Sequence, residues 1–261
     1  MVNRAELFIK EKGQHNAQTI LFLHASGSSS RMWQQHMAAL ARDFHCLAVD
    51  LPGHGMSRNR DWTTFDDTTE ILAGIIKSKA HGRVHLVGLS LGACLALKLL
   101  ESHAWLIDKA IIDGAAHEPI KGYRKVIAGV FVMSLLKNTK FIARLMTGMM
   151  QKDGASEQSC RIFVEDLQRA SRKSFRRAMT QANRLKLNLA FDNPVLFLSG
   201  SKESETIQAS HQLLAVQHPL SQCAYYPGKG HAWLFSDPDT HIQAVSYFLQ
   251  GGIFPASLQT F

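Results

Sequence analysis

The chain has 261 residues but only four cysteines, four tyrosines and four tryptophans. Cys46, Cys94, Cys160 and Cys223 are scattered, with no C-x-x-C pair and no Cys/His spacing of the zinc-binding kind. Neither a disulfide framework nor a structural metal is expected, and the thiols read as reduced packing groups of a cytoplasmic protein. Long apolar runs are also missing. The longest, Val126–Leu136, is too short to span a bilayer. Charges interrupt every apolar run of Met1–Gly13, so no secretory leader is expected. There is no internal repeat, low-complexity tract or flexible linker. With 46% hydrophobic and 19% charged residues, the composition is that of a globular protein with a sizeable core. The length suits one large α/β domain, or a core with an inserted subdomain.

Acidic residues are scarce in one place. The net charge is +8, yet Glu118–Ala190 alone carries fifteen Lys/Arg against five Asp/Glu, leaving the remainder slightly acidic. Charge alone would allow a nucleic-acid partner with salt-dependent binding. No nucleic-acid motif and no basic run with interleaved aromatics accompanies it, so none is expected. The cations of Arg169–Arg177 read as a solvated helix face.

What is present is alternation. "ELFIK" and "TILFLH" read as strands, "RMWQQHMAALAR" as a helix, "FHCLAVD" as a strand and "FDDTTEILAGIIKSKA" as a helix. Then come the strand "VHLVGLS", the helix "LGACLALKLLESH" and the strand "KAIID". The rhythm resumes with the strand "PVLFLSG", a helix near "TIQASHQLLAVQ", the strand "QCAYYPG" and the helix "DTHIQAVSYFLQ". Nearly continuous apolar strands separated by helices imply a mostly parallel sheet covered on both faces. Residues 117–191 break the rhythm and look all-helical. The expected division is a core of 1–116 and 192–261 with a helical cap inserted at 117–191. The tail "GGIFPASLQTF" shows no pattern.

One strand-to-helix junction carries chemistry. In Gly88-Leu89-Ser90-Leu91-Gly92, a hydroxyl sits where the strand ends, and both flanks lack side chains. A serine is a poor nucleophile until a base removes its proton. A sharp turn lifts it clear of the backbone and aims the amides of the helix N-terminus at a substrate oxygen. Such a turn crowds its neighbours, which accounts for the glycines. An ordinary N-capping serine in a glycine-rich turn would read the same way.

Further segments resemble the α/β-hydrolase superfamily. "LFLHASGSSSRMW" is similar to its "HG" segment after the third strand, "VDLPGHGMS" to its D-x-x-G-x-G-x-S loop, and "GLSLG" to its nucleophile elbow. "PVLFLSGSKE" and "PGKGHAWLFSDPD" resemble its acid-bearing and histidine-bearing regions. The matches follow family order over all but the insertion and the tail. The short N-terminus suggests that the family's first strand is missing, which puts the insertion after the sixth strand of the usual plan.

The resemblance implies a triad in the order Ser…Asp/Glu…His, with Ser90 as nucleophile and His231 of "GKGHAW" as base. Glu203, three residues after Gly200, is the favoured acid, although the family usually has aspartate there. Asp113, ending "KAIID", and Glu205 are the alternatives. The oxyanion donors would be the backbone N–H groups of Leu91 and Ser26, with Ala25 standing where the family usually has glycine. His24 and His54 would shape loops near the site. No cofactor or metal is implied. The expected activity is ester cleavage of a small, partly apolar molecule. C–C or thioester hydrolysis on the same triad, and a hydrolase-like receptor for a small signalling molecule, are the competing outcomes.

Overall fold

The computed structural model describes residues 6–261; Met1–Ala5, part of the segment read above as lacking a leader, lie outside the described residues. Strands β1 (Ile9–Lys12), β2 (Thr19–Leu23), β3 (His45–Val49), β4 (Val84–Leu89), β5 (Ile107–Asp113), β6 (Val195–Gly200), β7 (Gln222–Tyr226) and β8 (Gln259–Thr260) form one sheet. Its order is β1-β3-β2-β4-β5-β6-β7-β8. Only the edge strands β1 and β8 run antiparallel to their neighbours. This is the expected mostly parallel α/β sheet. The tail, which shows no pattern in sequence, supplies β8, only two residues long. The strand anticipated over "ELFIK" begins later, at Ile9.

Strands β2, β3, β4 and β6 are buried at every position, which is why they read as continuous apolar runs. Their side chains still alternate between two cores. Leu21 and Leu23 of β2 join one, whereas Ile20 and Phe22 join the other. Helices α2 (Phe65–Lys79) and α3 (Leu91–His103) cover the first face, through Leu72, Ile76, Leu95 and Leu99. Helices α1 (Gln34–Leu40) and α9 (Pro238–Gln250) cover the second, through Met37, Val245 and Phe248. The segment "RMWQQHMAALAR" divides into a 3-10 turn, Ser30–Trp33, and α1. Helix α8 (Glu205–Gln217) lies between β6 and β7.

Between β5 and β6 the chain forms α4 (Tyr123–Leu136), α5 (Lys140–Lys152), α6 (Glu157–Arg169) and α7 (Arg172–Ala182). Thr139, Ser156 and Ser171 cap the last three through their side chains. Val130, Ile142, Leu167 and Phe175 make a small core of their own. Polar contacts dock this layer onto the loops at the C-terminal ends of the strands. Ser29 Oγ donates to Asp166 (2.6 Å), and Arg31 spans Asp166 and Glu165 (2.9 Å each). Ser171 N–H donates to Gly53 O (2.7 Å), and Trp62 N–H to Ser174 Oγ (3.0 Å). The Arg169–Arg177 stretch is therefore more than a solvated face. Its cations are exposed, but Ser174 and Phe175 between them are buried against the core and the small cluster. Among the described residues no helix is long and apolar enough to cross a membrane.

Candidate active site

The elbow is built by close backbone approach. A Cβ on Gly88 would lie 2.7 Å from the Ala93 nitrogen, and one on Gly92 would lie 2.0 Å from Leu23 O. Neither glycine adopts positive φ; both are required because backbone passes where a side chain would be. Gly92 thus presses α3 onto the end of β2, beside the loop that carries Ser26. Ser90 has φ 55° and ψ −111°, and among the described residues it alone, apart from glycines, has positive φ. Such a conformation costs on the order of 1–3 kcal/mol and persists only where the surroundings enforce it. Its side chain makes no capping hydrogen bond to α3. The N-capping alternative therefore loses its support.

The first amides of α3, including Leu91 N–H, have no carbonyl of their own helix to bond. Ser26 lies in the loop after β2, and its buried hydroxyl has no hydrogen-bond partner among the described residues. Ala25, at the position where a glycine was expected, is accommodated with its N–H on Met32 Sδ (3.5 Å). His24 and His54 hold loops. His24 Nδ1–H donates to Ala25 O (2.8 Å) and its Nε2 accepts from Leu51 N–H (2.9 Å). Burial lowers His24 to about 4 and His54 to about 3, so both stay neutral. Asp50 ties the neighbouring loop, accepting from Ser30 N–H (2.6 Å) and Met56 N–H (2.7 Å).

His231 and Glu203 come together from separate loops. His231 Nδ1–H donates to Glu203 Oε2 (2.6 Å), and Glu203 Oε1 accepts from Ser204 N–H (2.9 Å). The imidazole side chain is 45% exposed, the carboxylate 7%. Burial opposes the charge on each partner, but their mutual hydrogen bond and attraction outweigh it. His231 is raised above, and Glu203 lowered below, its ordinary value. An ionised acceptor on Nδ1 leaves Nε2 unprotonated and free to act as a base. Two glycines make the pairing possible. A Cβ on Gly200 would come 2.3 Å from Lys229 O, so the end of β6 touches the histidine loop directly. Gly114, at φ 66°, lies beneath the imidazole, where a Cβ would be 2.9 Å from His231 Cε1. Ser90 N–H donates to the carbonyl of the preceding residue, Asp113 (2.8 Å). Consecutive residues at the end of β5 thus anchor the elbow on one side and floor the His–Glu pair on the other. Sequence reasoning passed over Gly114; its one signal was a glycine directly after "KAIID".

Neither alternative acid hydrogen-bonds His231, whose Nδ1 is taken by Glu203. Glu205 is exposed at the start of α8, 3.9 Å from Lys121. Asp113 is fully buried, and neither carboxylate oxygen has a hydrogen-bond partner among the described residues. Burial pushes its pKa well above the carboxylate range. It faces His241 Nε2 at 3.6 Å, and His241 Nδ1 meets His36 Nε2 at 2.8 Å. Burial holds His241 near 3, so that imidazole stays neutral.

Beside His231 is a cavity of about 280 Å³, lined by Met146, Met149, Met150, Phe163 and Phe235 among others. The thioethers and aromatic rings make it apolar and adaptable. Among the described residues no cluster of three or more His, Cys, Asp or Glu is placed to hold a metal.

Residues 20–244 match the alpha/beta hydrolase family. The chain belongs to that family. A family relative, the pimeloyl-[acyl-carrier protein] methyl ester esterase of Nitrosomonas europaea, is 24% identical over 91% of this chain and 97% of its own. The 3-oxoadipate enol-lactonase 1 of Acinetobacter baylyi is 31% identical, over 36% of this chain and 35% of its own. Three other curated relatives are matched over only 32%, 37% and 38% of their length. Among solved structures, the enol-lactonase from Burkholderia xenovorans LB400 superposes with a TM-score of 0.79 at 19% identity, covering 93% of this chain and 96% of the other. That likeness establishes the alpha/beta hydrolase fold.

Proposed function

We propose that this protein is a serine hydrolase that cleaves a small, partly apolar ester through an acyl-enzyme. The observation that carries the reading is Ser90, held at φ 55° on the elbow with a side chain that caps nothing. His231 Nε2 takes the Ser90 proton as Oγ attacks the ester carbonyl. The negative charge moves to the carbonyl oxygen, where the amides of Leu91 and Ser26 stabilise it. Collapse expels the alcohol, which leaves with the proton from His231. A water molecule, deprotonated by the same imidazole, then releases the acid and restores Ser90. Glu203 fixes the imidazole tautomer and stabilises the imidazolium formed in each half.

The helices α4–α7 serve as the cap, and the methionine-lined cavity beside His231 takes the apolar part of the substrate. At about 280 Å³ it lies just below the roughly 300–1,000 Å³ typical of ligand pockets, which favours short to medium acyl or aryl groups. The enol-lactonase and methyl ester esterase among the relatives support an oxygen ester as the scissile bond. The four buried, unpaired thiols fit a cytoplasmic setting. The mechanism calls on no metal or organic cofactor.

The test is a panel of activated esters and thioesters of graded acyl length, run beside a fluorophosphonate probe. Labelling confined to Ser90, with kcat/KM rising by up to about fourfold per added CH₂ until the cavity is full, supports the reading. A steady fall beyond acetate removes the apolar pocket. Absence of both labelling and turnover removes the hydrolase and favours a ligand-binding receptor.

A further inference from the structure

Helix α4 reads "YRKVIAGVFVMSLL", yet only Val130 and Ser134 of it are buried. Val126, Phe131, Val132, Leu135 and Leu136 stand 37–52% exposed. A helix apolar on all sides normally lies inside a protein or a membrane. Helix α5 adds Phe141, Leu145 and Met149, 44–69% exposed at i, i+4, i+8 along one edge. The inner sides of both helices, through Val130 and Ile142, pack on the same small cluster with Leu167 and Phe175. Their apolar outer sides therefore face away from the molecule together.

The charge on this face has one sign. From Pro119 to Lys152 there are seven Lys/Arg and no Asp/Glu. Lys137 is turned inward, donating to Leu167 O (2.7 Å) and Gln168 O (2.8 Å), and Lys121 faces Glu205. Arg124, Lys125, Lys140, Arg144 and Lys152 remain exposed around the apolar residues. Neither α4 nor α5 contains a carboxylate that could pair with these cations along the helix. A second copy of this face would set cations against cations. A protein partner would look for directional polar groups, but the exposed residues of α4 between Val126 and Leu136 are all apolar. Apolar side chains ringed by cations match a surface that is apolar inside and anionic at its rim.

We propose that the outer face of α4 and α5 docks on an anionic lipid bilayer. Met149 belongs both to the exposed edge of α5 and to the cavity beside His231. Docking would thus turn the cavity mouth toward the lipid, a route for apolar esters to reach the site. The docking surface itself does not depend on the hydrolase reading; only this delivery route rests on it.

The experiment is co-sedimentation of the full chain and of Ser90→Ala with phosphatidylcholine vesicles and with phosphatidylcholine–phosphatidylglycerol vesicles. Both proteins should bind the anionic vesicles equally, bind the neutral ones far less, and be released by salt. Equal binding by Ser90→Ala separates this proposal from the fate of the serine mechanism. Phe131→Glu/Leu135→Glu should lose at least tenfold in binding while hydrolysing a soluble short ester at the wild-type rate. Should that variant misfold, Lys125→Gln and Arg144→Gln, at exposed positions, should each weaken binding about fivefold. Absence of binding to anionic vesicles, or binding indifferent to these substitutions, overturns the proposal. A concentration-dependent dimer abolished by Phe131→Glu/Leu135→Glu, without vesicle binding, assigns the face to a second copy instead.

Discussion

Helices α3 and α4 are built from equally apolar sequence and meet opposite fates. Ten of the thirteen residues of α3 are buried, against two of the fourteen in α4. The first is wedged between the sheet and α2, with its N-terminus fixed by Gly88 and Gly92. The second leans on a cluster of four buried side chains and leaves the rest of its surface open. Apolar content therefore says that a helix seeks cover, and the neighbours decide what cover it gets. The same contrast runs through the molecule. The core around α3 is packed until backbone touches backbone, which suits a site that must hold atoms in register. The layer containing α4 has its own small core and an unsatisfied outer face, which suits adaptation to substrate or surface.

The sharpest way to break this contrast is at the elbow. Ser90→Ala should abolish probe labelling and reduce ester turnover by about 10⁴-fold or more while circular dichroism and Tm are unchanged, with His231→Ala close behind, because triad members act as a unit. Retained turnover in Ser90→Ala would move the chemistry away from α3 altogether.

Stability probes the packing difference directly. Gly92→Ala places a methyl 2.0 Å from Leu23 O and should cost about 3 kcal/mol in denaturant unfolding. Gly129→Ala and Gly148→Ala, in α4 and α5 with open space around them, should instead gain up to about 1 kcal/mol. If all three behave alike, the two layers do not differ in tightness.

Next in size is the acid. Glu203→Gln should lower kcat by about 10²-fold or more, since control of the imidazole tautomer is lost. It should also alter the pH profile. A base must be unprotonated, so kcat/KM falls as pH drops through the His231 pKa. Glu203 raises that pKa, so its removal moves the acid limb to lower pH. An acid limb that stays in place would mean that Glu203 does not act through His231.

Asp113→Asn should have the smallest effect, within a few-fold in kcat. Burial pushes the pKa of this carboxyl well above the carboxylate range, and the amide has the shape and charge of the protonated form that burial favours. A larger loss here than in Glu203→Gln would reverse the assignment of the acid.

Most of the core was legible because its local signals agree. Valine- and leucine-rich strands bounded by glycine can lie only in a sheet covered on both faces. The flanking glycines of Ser90 announced a crowded turn, and backbone atoms do crowd both Gly88 and Gly92. Less was legible where meaning depends on a distant partner. Strand β8 is two residues long and exists only because β7 offers an open edge. Ser174 and Phe175, set among cations, looked like part of a solvated face until the Asp50–Trp62 loop and the small cluster were seen to bury them.

The sequence by itself determined the layer order, the crowded turn at Ser90 and the imbalance of charge, since each follows from the chemistry of residues close together in the chain. Which carboxylate meets the imidazole was decided only in three dimensions. Glu203, Glu205 and Asp113 are equivalent as acids. What separates them is that two backbone approaches, at Gly114 and Gly200, bring a loop after β6 within 2.6 Å of a loop after β7. The exposure of α4 was likewise decided by the fold, because burial is a property of the surroundings and not of the helix.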